Sequence, residues 1–204
     1  YSSDLLGHKV VRDFGLQFPI LIKFLDAAAN LSIQVHPNDR LAKERHDSLG
    51  KNEMWYVMDA TPEASLIVGF TPGMSPEKYH ECIADDSIER VMEKHPVRSG
   101  DAFFIEAGTV HAIGAGILLA EIQQTSDVTY RVYDFNRKDA LGNFRELHTE
   151  LAVDAINFKA NSQEKCVYTS VSNTPNEIIA TPYFTTNYLP VQGEYHADKV
   201  SQDS

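Results

Sequence analysis

Short runs of β-branched and aromatic residues, each closed by glycine, proline or aspartate, recur along the chain and restrict it to an antiparallel β-fold. They read FPILIKFLDA, LSIQVH, EMWYVMDA, ASLIVGF, DAFFIEA, GILLAEIQQ and VTYRVYDF, beginning at residues 18, 31, 53, 64, 101, 116 and 128. Runs this short, separated by turn-forming residues, suit the strands of a barrel or sandwich. Helical pattern is confined to three places. NDRLAKERHDSLG has polar starters and a terminal Gly50, the signature of a short helix. SPEKYHECIADDSIERVMEKHP offers Ser75 as N-cap and Pro76 at the first helical position, predicting one broken helix or two. RELHTELAVDAINF predicts a third helix, packing Leu147, Leu151, Val153, Ala155 and Ile156. After it, CVYTSVSN and TPYFTTNYLPVQGEY alternate again, as a new β-unit would. The chain starts at Tyr1 without methionine and its last strands stop short of a barrel, so truncation at both ends is expected.

The 204 residues carry a formal net charge of -11, with an isoelectric point near 5.1. Nucleic-acid and polybasic membrane partners need a positive surface, so neither is expected. No run approaches the ~18 apolar residues of a membrane span, and no secretory signal opens the chain. Cys82 and Cys166 are too few for a disulfide framework; free thiols in a reducing cytoplasm are expected. An anionic substrate would have to be gripped by a few local cations against the overall field.

Candidate ligands for a metal fall on or beside predicted strands. In LSIQVHPND, Gln34 and His36 stand two apart, so on a strand they project side by side. In GKNEMWYV, Glu53 opens a strand with Lys51 on the same side. In AGTVHAIGAG, His111 is bracketed by Gly108 and Gly114. Imidazole and carboxylate donors without thiolate suit zinc, iron, manganese or nickel in an open, reactive centre better than a closed structural zinc. A fourth stretch, AEIQQTSDVTYRVYDFNR, puts Asp127, Thr129, Arg131, Tyr133 and Phe135 on one strand face by alternation, preceded by Glu121 and Gln123. An arginine among aromatics is costly to bury unless it meets an anion; Arg131 pairs with Asp127 or sits over a substrate oxygen.

SGDAFFIEAGTVHAIGAG resembles the second cupin motif, with Gly100, Gly108 and His111 in place and Glu106 where proline is usual. The first cupin motif appears as Gln34-Val35-His36, with Glu53 displaced by the inserted helical segment. LSIQVHPND, GKNEMWYV, GTVHAIGAG and QQTSDVTYRVYDFNR together resemble the type I mannose-6-phosphate isomerases of the short bacterial kind, over residues 20–158. The resemblance implies a mainly β fold, a cupin jelly-roll barrel with a few inserted helices. It implies a metal-binding catalytic domain at 1–158 lacking part of its N-terminal stretch, and a partial second cupin-like unit at 159–204. It further implies one zinc per chain held by Gln34, His36, Glu53 and His111, an active-site arginine at Arg131, and sugar or phosphate contacts from Ser32 and Lys51.

The reaction so implied moves a proton between carbons 1 and 2 of a hexose phosphate through an enediolate. It needs a base near the carbon-bound proton, for which Glu121, Asp127 and solvent on the metal are the candidates. A soluble cytoplasmic protein is expected, monomeric or weakly dimeric, with a small-molecule hexose phosphate as its partner. Two rivals share the ligand set: an iron-dependent cupin dioxygenase, which has no need of Lys51 and Arg131 around a phosphate, and a sugar-binding module without turnover.

Overall fold

The computed structural model of the chain describes residues 2–159 and 165–196. Contacts group Ile22–Lys165 into one compact unit and gather Tyr1–Leu21 with Cys166–Ser204 into a second. The fold is mainly β and antiparallel, with strands β1 (Ile20–Ala27), β2 (Ile33–Val35), β3 (Glu53–Ala60), β4 (Ser65–Phe70), β5 (Met92–Pro96), β6 (Ala102–Ile105), β7 (His111–Ile113), β8 (Ile117–Gln124) and β9 (Tyr130–Tyr133). The second unit holds β10 (Asn176–Ala180) paired with β11 (Thr185–Tyr188). Of the C-terminal β-unit expected at 159–204, residues 160–164 and 197–204 lie outside the described residues.

Two sheets make the larger unit, one ordered β1-β8-β3-β6 and the other β5-β4-β7-β2-β9. Alternation along each strand sorts the side chains between two cores. Trp55, Val57, Leu66, Val68, Phe103 and Leu119 belong to one cluster, drawn from both sheets. The alternate residues on the other face of the five-stranded sheet, among them Ile33, Val35, Ile67, Ala112 and Val132, form the second cluster. Each fully buried aliphatic or aromatic side chain contributes about 1.5–3 kcal/mol. The inner face is apolar along most of its length and polar where Glu53, His111, Gln34 and Arg131 project. This arrangement agrees with the expected jelly roll.

The helices are α1 (Ser2–Leu6), α2 (His8–Phe14), α3 (Asp39–His46), α4 (Pro76–Ala84) and α5 (Thr149–Ala155). The sequence pattern did not anticipate the first two. Ser75 caps α4 by accepting from the Lys78 amide at 3.3 Å, with Pro76 in the first turn. The helical reading of the following stretch ends early: a 3-10 turn covers Ile88–Val91, and Met92–Pro96 is a strand pairing with β4. The face expected of α5 is realised in part, with Val153, Ala155 and Ile156 packed on the core. Ala152 and Ile156 are buried, whereas Leu147 and Leu151 are exposed. Cys82 is buried in α4, and neither Cys82 nor Cys166 is in a disulfide among the described residues. Among the described residues no helix is long and apolar enough to cross a membrane.

Candidate metal centre

A register across both sheets builds the site. In the five-stranded sheet Gln34 pairs with His111 on one side and with Arg131 on the other, giving a row of three polar side chains. Opposed residues on adjacent antiparallel strands share a face. In the four-stranded sheet Glu53 lies between Ile105 and Gln123. His36 follows the end of β2 and is 1% exposed, while Glu53 and His111 are fully buried. Their ligand atoms converge: His36 Nε2 lies 3.3 Å from Glu53 Oε1, His111 Nε2 lies 3.7 Å from Oε2, and the three sets of atoms fall within 4.8 Å of one another.

Each imidazole is oriented from behind. His36 Nδ1 lies 3.0 Å from the Val128 carbonyl, and His111 Nδ1 lies 2.8 Å from the Thr109 carbonyl. A carbonyl only accepts, so Nδ1 carries a proton in both rings, and each inward-facing Nε2 is left as the atom that takes a second proton or a metal. Burial and the neighbouring His36 push the His111 imidazole down to about 3, so it is neutral at physiological pH. For Glu53, burial pushes the carboxyl up, but His36 and Lys51 outweigh it and hold the group well below the usual carboxylate range. The buried side-chain atoms without a hydrogen bond among the described residues include His36 Nε2 and both Glu53 oxygens.

Two imidazole Nε2 atoms and a carboxylate therefore meet in a buried interior. The cost of an unpaired buried carboxylate is several kcal/mol, and a cation at the convergence removes it. Lys51, itself buried, supplies one positive charge 3.2 Å from Glu53 Oε1. The donor set of two imidazoles and a carboxylate fits a divalent transition metal or zinc. The Gln34 amide reaches the same point, with Nε2 3.3 Å from His111 Nε2. In this orientation it donates, and ligation requires the amide to turn its oxygen inward.

The remaining expected residues divide by environment. Arg131 stands beside Gln34, its Nη1 donating to the Glu146 carbonyl at 2.8 Å and its buried Nε without a partner among the described residues. Burial and the nearby Arg145 lower its pKa. The continuous polar face from Glu121 to Phe135 is not realised, because β8 ends at Gln124 and β9 begins at Tyr130. Asp127 lies exposed in the connection. A bulge between Ile33 and Gln34 also breaks the alternation, and Tyr133 and Phe135 pack on the outer core instead of beside Arg131. Glu121 is buried, accepting from Lys23 Nζ at 2.9 Å and Trp55 Nε1 at 3.1 Å. Ser32 is buried two residues before Gln34.

Several positioning residues escaped the sequence reading. Asn52, one residue before Glu53, places its backbone N–H and its side-chain amide against Gln124 Oε1 at 2.9 and 2.7 Å and accepts from the Ala107 amide at 2.9 Å. Gln124 in turn donates to Asp39 Oδ1, which also accepts from the Gly50 amide. Trp55 sets its ring edge-on to His111, with centroids 5.3 Å apart, and Lys23 donates to both Glu121 and Gln123.

Residues 2–75 match the model of the phosphomannose isomerase type I catalytic domain. A mannose-6-phosphate isomerase from Streptococcus mutans is 40% identical over 177 residues, 86% of this chain and 56% of that protein. Over these stretches the chain is similar to the type I phosphomannose isomerases. A mannose-6-phosphate isomerase from Bacillus subtilis is 44% identical over 143 residues, 70% of this chain and 45% of its own length. The chain thus spans about half the length of the curated relatives it matches. Among solved structures, a mannose 6-phosphate isomerase from Bacillus subtilis superposes with a TM-score of 0.79 at 33% identity, covering 90% of this chain and 60% of that one. A zinc-bound mannose 6-phosphate isomerase shares the fold at a TM-score of 0.65 and 16% identity, over 90% of this chain and 65% of that one.

Proposed function

We propose that this chain is the metal-binding, catalytic part of a mannose-6-phosphate isomerase that uses zinc to interconvert mannose 6-phosphate and fructose 6-phosphate through an enediolate. The observation that carries the reading is the buried convergence of His36, Glu53 and His111, in which His36 Nε2 and both Glu53 oxygens have no hydrogen bond among the described residues, with Gln34 and Arg131 in one cross-strand row with His111. The names of its relatives support the same activity. His36, Glu53 and His111 would hold the ion, with Gln34 as the weakest ligand. Bound there, zinc supplies Lewis acidity toward the carbonyl and hydroxyl oxygens at carbons 1 and 2 of the sugar.

The chain's own residues would do the rest. The partnerless Nε of Arg131 is a donor aimed at a substrate oxygen, and its positive charge favours the developing enediolate. Lys51 adds a second cation beside the ligands; Ser32, on the same segment as Gln34, is a further contact for the sugar. Binding energy from the unreactive phosphate holds carbons 1 and 2 in place. Glu121 is the buried candidate for the base. Lys23 and Trp55 fix its carboxylate, and transferring a proton requires it to release one of them. Asp127 is the exposed alternative. Elemental analysis of the purified full chain beside a coupled assay for fructose 6-phosphate tests the proposal. One zinc per chain with turnover is expected, and iron with oxygen uptake in place of isomerisation overturns it.

A further inference from the structure

β9 is the edge strand of its sheet, and Arg131 lies in the middle of it. An edge strand leaves peptide groups without a neighbouring strand. At Arg131 these groups are nevertheless satisfied, because His148 supplies both halves of a strand pair. The His148 amide donates to the Arg131 carbonyl at 2.7 Å, and the Arg131 amide donates to His148 Nδ1 at 3.1 Å. The imidazole nitrogen thus stands where a partner strand would put a carbonyl oxygen. Two residues earlier, the Glu146 carbonyl accepts from Arg131 Nη1 at 2.8 Å. Three bonds from a three-residue segment therefore fix the Arg131 backbone and one arm of its guanidinium, leaving Nε unengaged.

His148 also stands immediately before α5, where a capping side chain would normally accept from the helix's own first amides. Its side chain makes no such bond. The acceptor has been diverted from the helix to Arg131. Its ring meanwhile packs at 6.3 Å from the ring of Tyr130, the residue before Arg131.

From this geometry we infer that His148 is a positioning residue, which holds the Arg131 backbone by accepting its amide hydrogen at Nδ1 and so aims the guanidinium at the substrate. The inference rests on the isomerase reading, but the Arg131–His148 bond has consequences that do not depend on turnover. Small displacements of a positioned group cost up to about 100-fold in rate.

Two variants separate the acceptor from the packing. His148→Phe keeps a ring against Tyr130 and removes the acceptor. His148→Asn keeps an acceptor atom at the δ position and removes the ring. In the full chain, His148→Phe is expected to lower kcat for mannose 6-phosphate about tenfold or more, with metal content unchanged and KM moved less than kcat. His148→Asn is expected to stay within about threefold of the parent. In parallel, amide hydrogen exchange at Arg131 should quicken in His148→Phe and remain protected in His148→Asn. If the parent protein shows no isomerisation, the functional proposal fails by itself, and the exchange measurement still decides the role of His148. Parent-like exchange and turnover in His148→Phe, or equal impairment in the two variants, overturns the inference.

Discussion

Arg131 is the residue at which burial and function pull hardest against each other. Its Nε is buried with no acceptor among the described residues, and a buried donor left unsatisfied costs about 1–3 kcal/mol. A substrate oxygen is the natural partner, which makes Arg131 an asset in the complex and a liability without it. Arg131→Ala is therefore expected to lower kcat/KM by roughly 100-fold or more while leaving metal content and stability near the parent's. Near-normal turnover would remove Arg131 from the chemistry. Glu121 gives a second prediction at this scale. A general base typically contributes 10²–10⁴-fold, so Glu121→Gln, which is isosteric and keeps one oxygen to accept from Lys23 or Trp55 while turning an NH2 toward the other, should lose turnover in roughly that range with the metal retained. Asp127→Asn, at an exposed position, should lose less than about tenfold. The opposite ranking in steady-state assays would move the base to Asp127.

Among the elements, the turn from α3 into β3 governs where the ligands sit. Asn38 caps α3 by accepting from the Leu41 amide at 3.0 Å, and the chain returns so tightly that a Cβ on Gly50 would lie 2.5 Å from the Asp39 nitrogen and 2.8 Å from the Asn38 carbonyl carbon. Both are backbone atoms, so the turn itself must open to admit a methyl group. Overpacking of this kind costs about 1–3 kcal/mol. Gly50→Ala is expected to lower urea stability by that amount and to reduce metal occupancy, because Lys51 and Glu53 follow directly. Unchanged stability and metal content would show that the turn adapts. This scale also marks what a reader of the sequence can see. Period-two runs such as EMWYVMDA and GILLAEIQQ announced their strands, and His36, Glu53 and His111 stood out as polar interruptions of them. The helical pattern before Met92–Pro96 masks that strand, and in α5 the pattern finds Val153, Ala155 and Ile156 but counts the exposed Leu147 and Leu151 and misses the buried Ala152. The supports of the site, Trp55 with Glu121 and Asn52 with Gln124, join positions 66 and 72 residues apart. Nothing local in the sequence announces such pairs, because each residue is an ordinary strand or turn residue until the sheets bring it to its partner.

Over the whole molecule, charge is the decisive quantity. A chain of net charge -11 repels itself at neutral pH, and protonating exposed carboxylates relieves part of that repulsion. Asp134 acts in the opposite direction. It is 5% exposed, and Arg145 donates to both its oxygens, at 2.8 Å from Nε and 2.6 Å from Nη2, with Arg137 also bound to it. The hydrogen bond from Arg145, opposed by burial and aided by Arg137, holds the carboxyl down to about 2, against 3.8 for an unperturbed aspartate. A depressed folded-state pKa means the stabilisation is present in full above the unfolded value and disappears as pH falls through the folded one. The window is therefore about pH 4 down to about pH 2. At about 1.4 kcal/mol per unit the shift corresponds to about 2 kcal/mol, an upper figure because the side chains of Arg137 and Arg145 are 39% and 48% exposed and partly screened. Comparing Asp134→Asn with the parent in urea titrations cancels the titration of the other carboxylates. The variant should be less stable by up to about 2 kcal/mol at pH 6, with the gap closing steadily between pH 4 and pH 2. A gap that stays constant across that range would mean Asp134 contributes through packing and hydrogen-bond geometry that asparagine cannot reproduce, and not through its charge.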